Sequence, residues 1–138
     1  MLTRTISSLT LLLLISCAKD GQDISVLGTG SFVDKGGQHT TGTYRLEKAG
    51  ETMRLVLASD FRTDEGPDLH VLLSPIEVDS TTNENGATDA LVLAPLQSQS
   101  GEQTYEVPDA VDLGTYRSVL IHCIEFSHLY GAAPLAEM

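Results

Sequence analysis

The chain predicts an all-β fold, an antiparallel β-sandwich of about seven to nine short strands. Three observations carry this. Apolar and polar residues alternate with period two, turn residues separate the runs, and no stretch sustains a helical period. Tyr44 and Leu46 alternate with Arg45 and Glu47. Met53, Leu55 and Leu57 alternate with Arg54 and Val56, and Leu69, Val71 and Leu73 with His70 and Leu72. Further runs are Ala90–Leu93, Gln103–Val107, Arg117–Glu125 and Ala132–Leu135. The breaks carry turn chemistry: Lys48-Ala49-Gly50-Glu51, Asp64-Glu65-Gly66-Pro67, Pro108-Asp109 and Leu113-Gly114. Glu77 to Asp89 is polar and reads as a long exposed, mobile loop. Phe61, Phe126 and the tyrosines are assigned to the core or its edge.

The run Arg117 to Phe126 is apolar on both parities. Val119, Ile121 and Cys123 face one side, and Leu120, His122 and Ile124 the other. This predicts a central strand covered on both faces, with Cys123 turned inwards and His122 pointing away from it.

Residues 1–16 have the layout of a secretory signal, with Arg4 near the start, an apolar stretch from Leu9 to Ile15, and small Ser16 before the cut. The stretch is shorter than the roughly 20 residues a spanning helix needs. Leu14-Ile15-Ser16-Cys17 resembles the lipobox of bacterial lipoprotein precursors. That resemblance implies a diacylglycerol on the Cys17 sulfur, cleavage before Cys17 and acylation of the new amine. Acyl chains bury about 0.8 kcal/mol per CH₂, and two or more anchor a protein stably. The expected location is the bacterial cell envelope, with the chain held to the membrane by its lipid. Because Ala18 rather than Asp follows the lipid site, the same resemblance implies the periplasmic face of the outer membrane if the host has two membranes. Residues 17–29 then read as the lipidated cysteine and a flexible tether, and 30–138 as one domain.

Cleavage after residue 16 of 138 removes Arg4 and takes the net charge from −11 to −12. Such a surface opposes nucleic acid and anionic headgroups, and no Lys/Arg cluster offsets it, so nucleic-acid binding is excluded. With Cys17 lipidated, Cys123 is the remaining thiol. An internal disulfide and a multi-thiolate zinc site are both excluded.

Cys123 has two readings on residue chemistry: a small buried hydrophobe, or a redox-active or metal-ligating thiol. A metal site would draw on His39, His70 or His122 beside Cys123. None of the four histidines, His128 included, shows tight ligand spacing, so no metal or other cofactor is assigned. Asp64, Glu65 and Asp68 bracket Gly66-Pro67 in a pattern typical of turns. Neither GxSxG, HExxH nor a phosphate-binding glycine loop occurs, and nothing demands an enzyme.

Phe61-Arg62-Thr63-Asp64-Glu65-Gly66-Pro67-Asp68-Leu69-His70-Val71 resembles the F-x-T-x-x-GPDL-x-V segment of the DM-thirteen, or electron-transfer DM, domain. Tyr116 to Phe126 followed by Gly131-Ala132-Ala133-Pro134-Leu135 fits its last part. Gly30-Ser31-Phe32 with His39-Thr40-Thr41-Gly42-Thr43-Tyr44 resembles its opening, and Gly101 to Pro108 its middle. The resemblance covers about residues 28–136. It implies a β-sandwich, and a cysteine proposed for redox chemistry that falls on Cys123, with His39 and Asp68 on further motif positions. At His122, where the family commonly carries a large aromatic, and at His128 the chain departs from the pattern.

Two functions follow as expectations. One is a lipid-anchored electron-transfer accessory that works through Cys123, with His39 beside the thiol, and exchanges electrons with a redox or envelope partner. The other is a non-catalytic envelope module in which Cys123 is only core.

Overall fold

The computed structural model describes residues 23–135. The signal, Cys17 and the first part of the tether lie outside the described residues. Eleven strands follow in order: β1 Ile24–Ser31, β2 Val33–Asp34, β3 Thr40–Thr41, β4 Thr43–Ala49, β5 Thr52–Leu57, β6 Arg62–Thr63, β7 Leu69–Ser74, β8 Leu91–Pro95, β9 Gln103–Val107, β10 Ser118–Cys123 and β11 His128–Pro134. Two facing antiparallel sheets have the orders β1-β4-β5-β9 and β2-β11-β10-β7-β8, and β3 and β6 form a two-stranded ribbon. The alternating runs form the sheets as their period requires. The first strand begins at Ile24, six residues before Gly30, where the sequence pattern alone starts the domain. Val26 and Leu27 are exposed, so this stretch lacks the buried alternation that marks the other strands.

The two sheets close on one core. Leu46, Leu55, Leu57, Tyr105 and Val107 from one meet Leu69, Val71, Leu73, Val119, Ile121 and Cys123 from the other. Glu47 points away from this core and is nearly buried under Arg45 and Arg54. Burial pushes its carboxyl pKa up, but the two guanidiniums outweigh that and hold it below the ordinary value.

The outer face of the five-stranded sheet is covered as well. Leu72, Leu120, Leu129 and Ala132 form a second apolar cluster, and Val78 and Ala90 pack onto it. The residues between β7 and β8 therefore cover this face through Val78 and Ala90, while most of Glu77 to Asp89 is exposed, as their polarity predicts. Lys35 Nζ donates to the Thr81 carbonyl at 3.3 Å, and the Leu129 N–H donates to Asn83 Oδ1 at 2.9 Å. Asn85 and Thr82 cap each other's backbone, so the polar side chains of the cover serve its own folding.

Candidate functional site

Cys123 ends β10, opposite Leu69 of β7 on one side and His128 of β11 on the other. It is 1% exposed and packs in the inter-sheet core, as its parity predicts. His122 faces the second cluster, so the two neighbours in sequence are not partners in space.

Asp68 organises the backbone next to the thiol. Its φ of 52° is left-handed, a conformation Asp tolerates better than most residues. Its Oδ2 accepts from the Glu125 N–H at 2.9 Å, and its carbonyl accepts from the Ile124 N–H at 3.3 Å. The turn directly after Cys123 is thereby clamped to the start of β7. The same carbonyl lies 2.9 Å from His70 Nδ1.

His39 sits on Asp64. Its backbone N–H and Nδ1 lie 2.8 and 3.1 Å from Asp64 Oδ2, and its side chain is 76% exposed. The His39 N–H is the main cause that holds the Asp64 carboxyl below its ordinary pKa. In place of the expected pairing with the thiol, His39 lies against Asp64 at the surface.

Tyr130 joins the same inter-sheet core as Cys123. Ile121 pairs with Gly131 and His122 with Leu129, which leaves Tyr130 as the extra residue of a β-bulge. The bulge turns it to the core side: Tyr130 and Ala133 join the inter-sheet core, while Leu129 and Ala132 join the outer cluster. Thr40 Oγ1 holds the bulge by donating to the Tyr130 carbonyl at 2.9 Å, and meets Thr63 Oγ1 at 2.8 Å. Burial raises the phenol pKa, and negative charge at Cys123 and at Asp64 pushes the same way. The hydroxyl lies against Gly66, where even a methyl group would come within 2.2 Å of its oxygen.

Beside this group is an open cavity of about 560 Å³, lined by Gly66, Asp68, Leu69 and His70 and by Pro95 to Gln99. Its wall includes the glycine that backs Tyr130 and the leucine opposite Cys123. In the β10–β11 turn Phe126 is 65% exposed, which corrects its expected place in the core or at its edge. Among the described residues, no three His, Cys, Asp or Glu side chains gather as a metal-ligating group.

Segments far apart in the chain thus adjoin: Thr40 pairs with Thr63 and donates to the Tyr130 carbonyl, and β10 lies between β7 and β11. The model of the Electron transfer DM13 family matches residues 31–135. The chain belongs to the DM13 family. No curated protein and no solved structure gives a match. Within this DM13 domain the matched span contains every residue of the cluster around Cys123. Tyr130 lies between two quoted motif stretches, and simple alternation would place it on the face of Ala132. Only the bulge reveals it, and no residue type announces that bulge.

Proposed function

We propose that the protein is a lipid-anchored cell-envelope module whose DM13 domain passes electrons through Cys123 to a redox partner. The observation that carries this is the place of Cys123 as the last residue of β10, between Leu69 of β7 and His128 of β11 and directly before a clamped turn. Asp68 fixes the turn after the sulfur, and Thr40 fixes the bulge in the neighbouring strand. A thiol that reacts must ionise, and Leu69 opposite Cys123 lines an open cavity through which a reagent could approach. Cys17 is the proposed lipid site, and the membrane is the proposed location.

A second reading is favoured by one observation. Cys123 is 1% exposed, as a cysteine that only fills space would be. On that reading the domain is a non-catalytic envelope module, and its loops contact a protein partner.

Alkylation of Cys123 in the folded protein, followed across pH, separates the two. A rate that rises with pH while the fold persists supports the redox reading. Protection at every pH removes it and leaves the scaffold. The anchor is tested by fractionation: Cys17→Ser should move the chain from the membrane to the soluble fraction, and an unchanged distribution overturns the lipid site.

A further inference from the structure

We propose that His122 makes the cover an acid-released flap: protonation of its ring lifts residues 77–89 off the outer face of β10 while both sheets stay paired. Cys123, on the opposite face, takes no part in this.

With the cover shut, the ring has no place for a charge. His122 is 0% exposed, and neither Nδ1 nor Nε2 has a hydrogen-bond partner. A protonated ring carries a donor at both nitrogens and needs an acceptor for each, and an unpaired buried charge is costly. Gly86 of the cover, itself buried, lies against the ring edge. A Cβ there would come within 2.9 Å of both Cε1 and Nδ1. The groups around the ring supply no acceptor. His70 stands opposite it on β7, with Nδ1 2.9 Å from the Asp68 carbonyl and 3.6 Å from Asp68 Oδ1. His128 on β11 has its Nε2 2.8 Å from the Gly36 carbonyl, and its charge opposes a second one at His122. In the cover, Glu77, Asp79, Glu84 and Asp89 are all exposed, and Lys35 directs its ammonium at the Val78 and Thr81 carbonyls.

Water can reach the ring by parting the sheet or by lifting the cover, and the cover is the weaker side. β10 is paired with β7 and β11 from Ser118 to Cys123. The cover rests on the outer cluster through Val78 and Ala90. Its polar ties to the rest of the domain are the two Lys35 hydrogen bonds, at 2.5 and 3.3 Å, and the Leu129 N–H donating to Asn83 Oδ1 at 2.9 Å. Segments with so few ties open below the free energy of global unfolding. Once the cover lifts, both nitrogens meet water and the ring takes a proton near its usual pKa of about 6.5. The sign follows from the lowered pKa of the shut form: the opening constant is flat above that pH and rises up to about tenfold per unit below it, until the shut form itself protonates. Lifting bares Leu72, Leu120, Leu129 and Ala132.

Amide exchange of the unaltered full chain between pH 7 and pH 5, corrected for the intrinsic pH dependence of exchange, tests this. Gly86 and Thr88 are the reporters, because their N–H groups donate to the Thr82 and Asn85 carbonyls at 3.0 and 2.9 Å. Their protection should fall by up to roughly tenfold per unit below the ordinary histidine pKa, while that of Leu55 and Val56 in β5 holds. His122→Leu should flatten the response and leave His70, His128 and the four carboxylates in place. If that variant does not fold, proton NMR of the ring in the unaltered chain replaces it: the His122 midpoint should lie below that of a free histidine, and loss of protection at Gly86 should begin above that midpoint. A response that persists in His122→Leu overturns the assignment. Protection that stays constant down to pH 5, or that falls equally in β5, overturns the flap, as does a ring that protonates with the cover still protected.

Discussion

The two faces of β10 carry a cysteine and a histidine side by side in sequence, and the chain treats them in opposite ways. On the inner face Cys123 packs in the inter-sheet core before a clamped turn, and Leu69 opposite it lines a cavity. On the outer face His122 is fully buried with neither ring nitrogen hydrogen-bonded. The backbone of Gly86 lies on its ring so closely that a Cβ there would come within 2.9 Å. One face is backed by a second sheet, and the other by a cover of irregular chain. A residue's neighbours on a central strand are therefore set by what each face packs against, and sequence adjacency says nothing about shared chemistry.

The largest test of this contrast is a pair of cavities. Ile121 and Leu120 are both fully buried, one on each face. Ile121→Ala empties space between two sheets that are each held by strand pairing, so little collapse is available. A cost of about 4 kcal/mol is expected. Leu120→Ala empties space under the cover, which can settle onto the gap, and about 2 kcal/mol is expected. Denaturant midpoints at constant slope measure both. Equal costs would show that the cover is as rigid as a sheet.

Much of this was legible in the chain. Gln103–Val107 forms a strand with the bounds its alternation indicates, because one half-buried face leaves a clean period. Val119, Ile121 and Cys123 fall on one face of β10 as parity requires. The first strand was hidden, since Ile24, Val26 and Leu27 are exposed and give no such period. The exposure of the cover was legible in its polar composition, and its packing on the sheet was not. Its fold depends on Asn83, Asn85 and Thr82 satisfying backbone groups, and on two apolar residues, Val78 and Ala90, reaching the sheet. At the candidate site, Cys123 and Asp68 were visible as motif residues, and Tyr130 was not. Its placement on the core side depends on one unpaired position in β11, a three-dimensional fact that residue types do not encode.

The second test uses acid. Burial, and then the charge of His128, lower the pKa of His122 from its ordinary value. His70 stands opposite it on β7, and the cover contributes Glu84 and Asp89, both exposed. The neutral ring is thus favoured in the folded state, while the unfolded chain binds the proton near its usual pKa of about 6.5. Stability is full above that pH. As pH falls below it, stability drops by up to about 1.4 kcal/mol per unit, until the depressed folded pKa is passed. His122→Leu should remove this slope and add about 1 kcal/mol at neutral pH, because an unpartnered polar ring leaves the core. Stability measured between pH 5 and 7 decides it. A slope that persists in His122→Leu assigns the acid response to other groups.

The smallest effect concerns the tie between the cover and β11. Asn83 Oδ1 receives the Leu129 N–H at 2.9 Å, and Leu129 pairs with His122 on β10. Asn83→Ala takes the acceptor away and leaves the apolar contacts of Val78 and Ala90 intact. A global cost of about 1 kcal/mol is expected. Amide exchange should be more revealing than the global value. Protection should fall at Gly86, whose N–H donates to the Thr82 carbonyl at 3.0 Å within the cover, and should hold at Ile121 and Cys123 in the strand beneath. Faster exchange confined to the cover would mean that the outer face opens by itself while the inner face stays closed. Faster exchange spread evenly through β10 would mean that the two faces unfold as one unit, and the contrast between them would be one of contents alone.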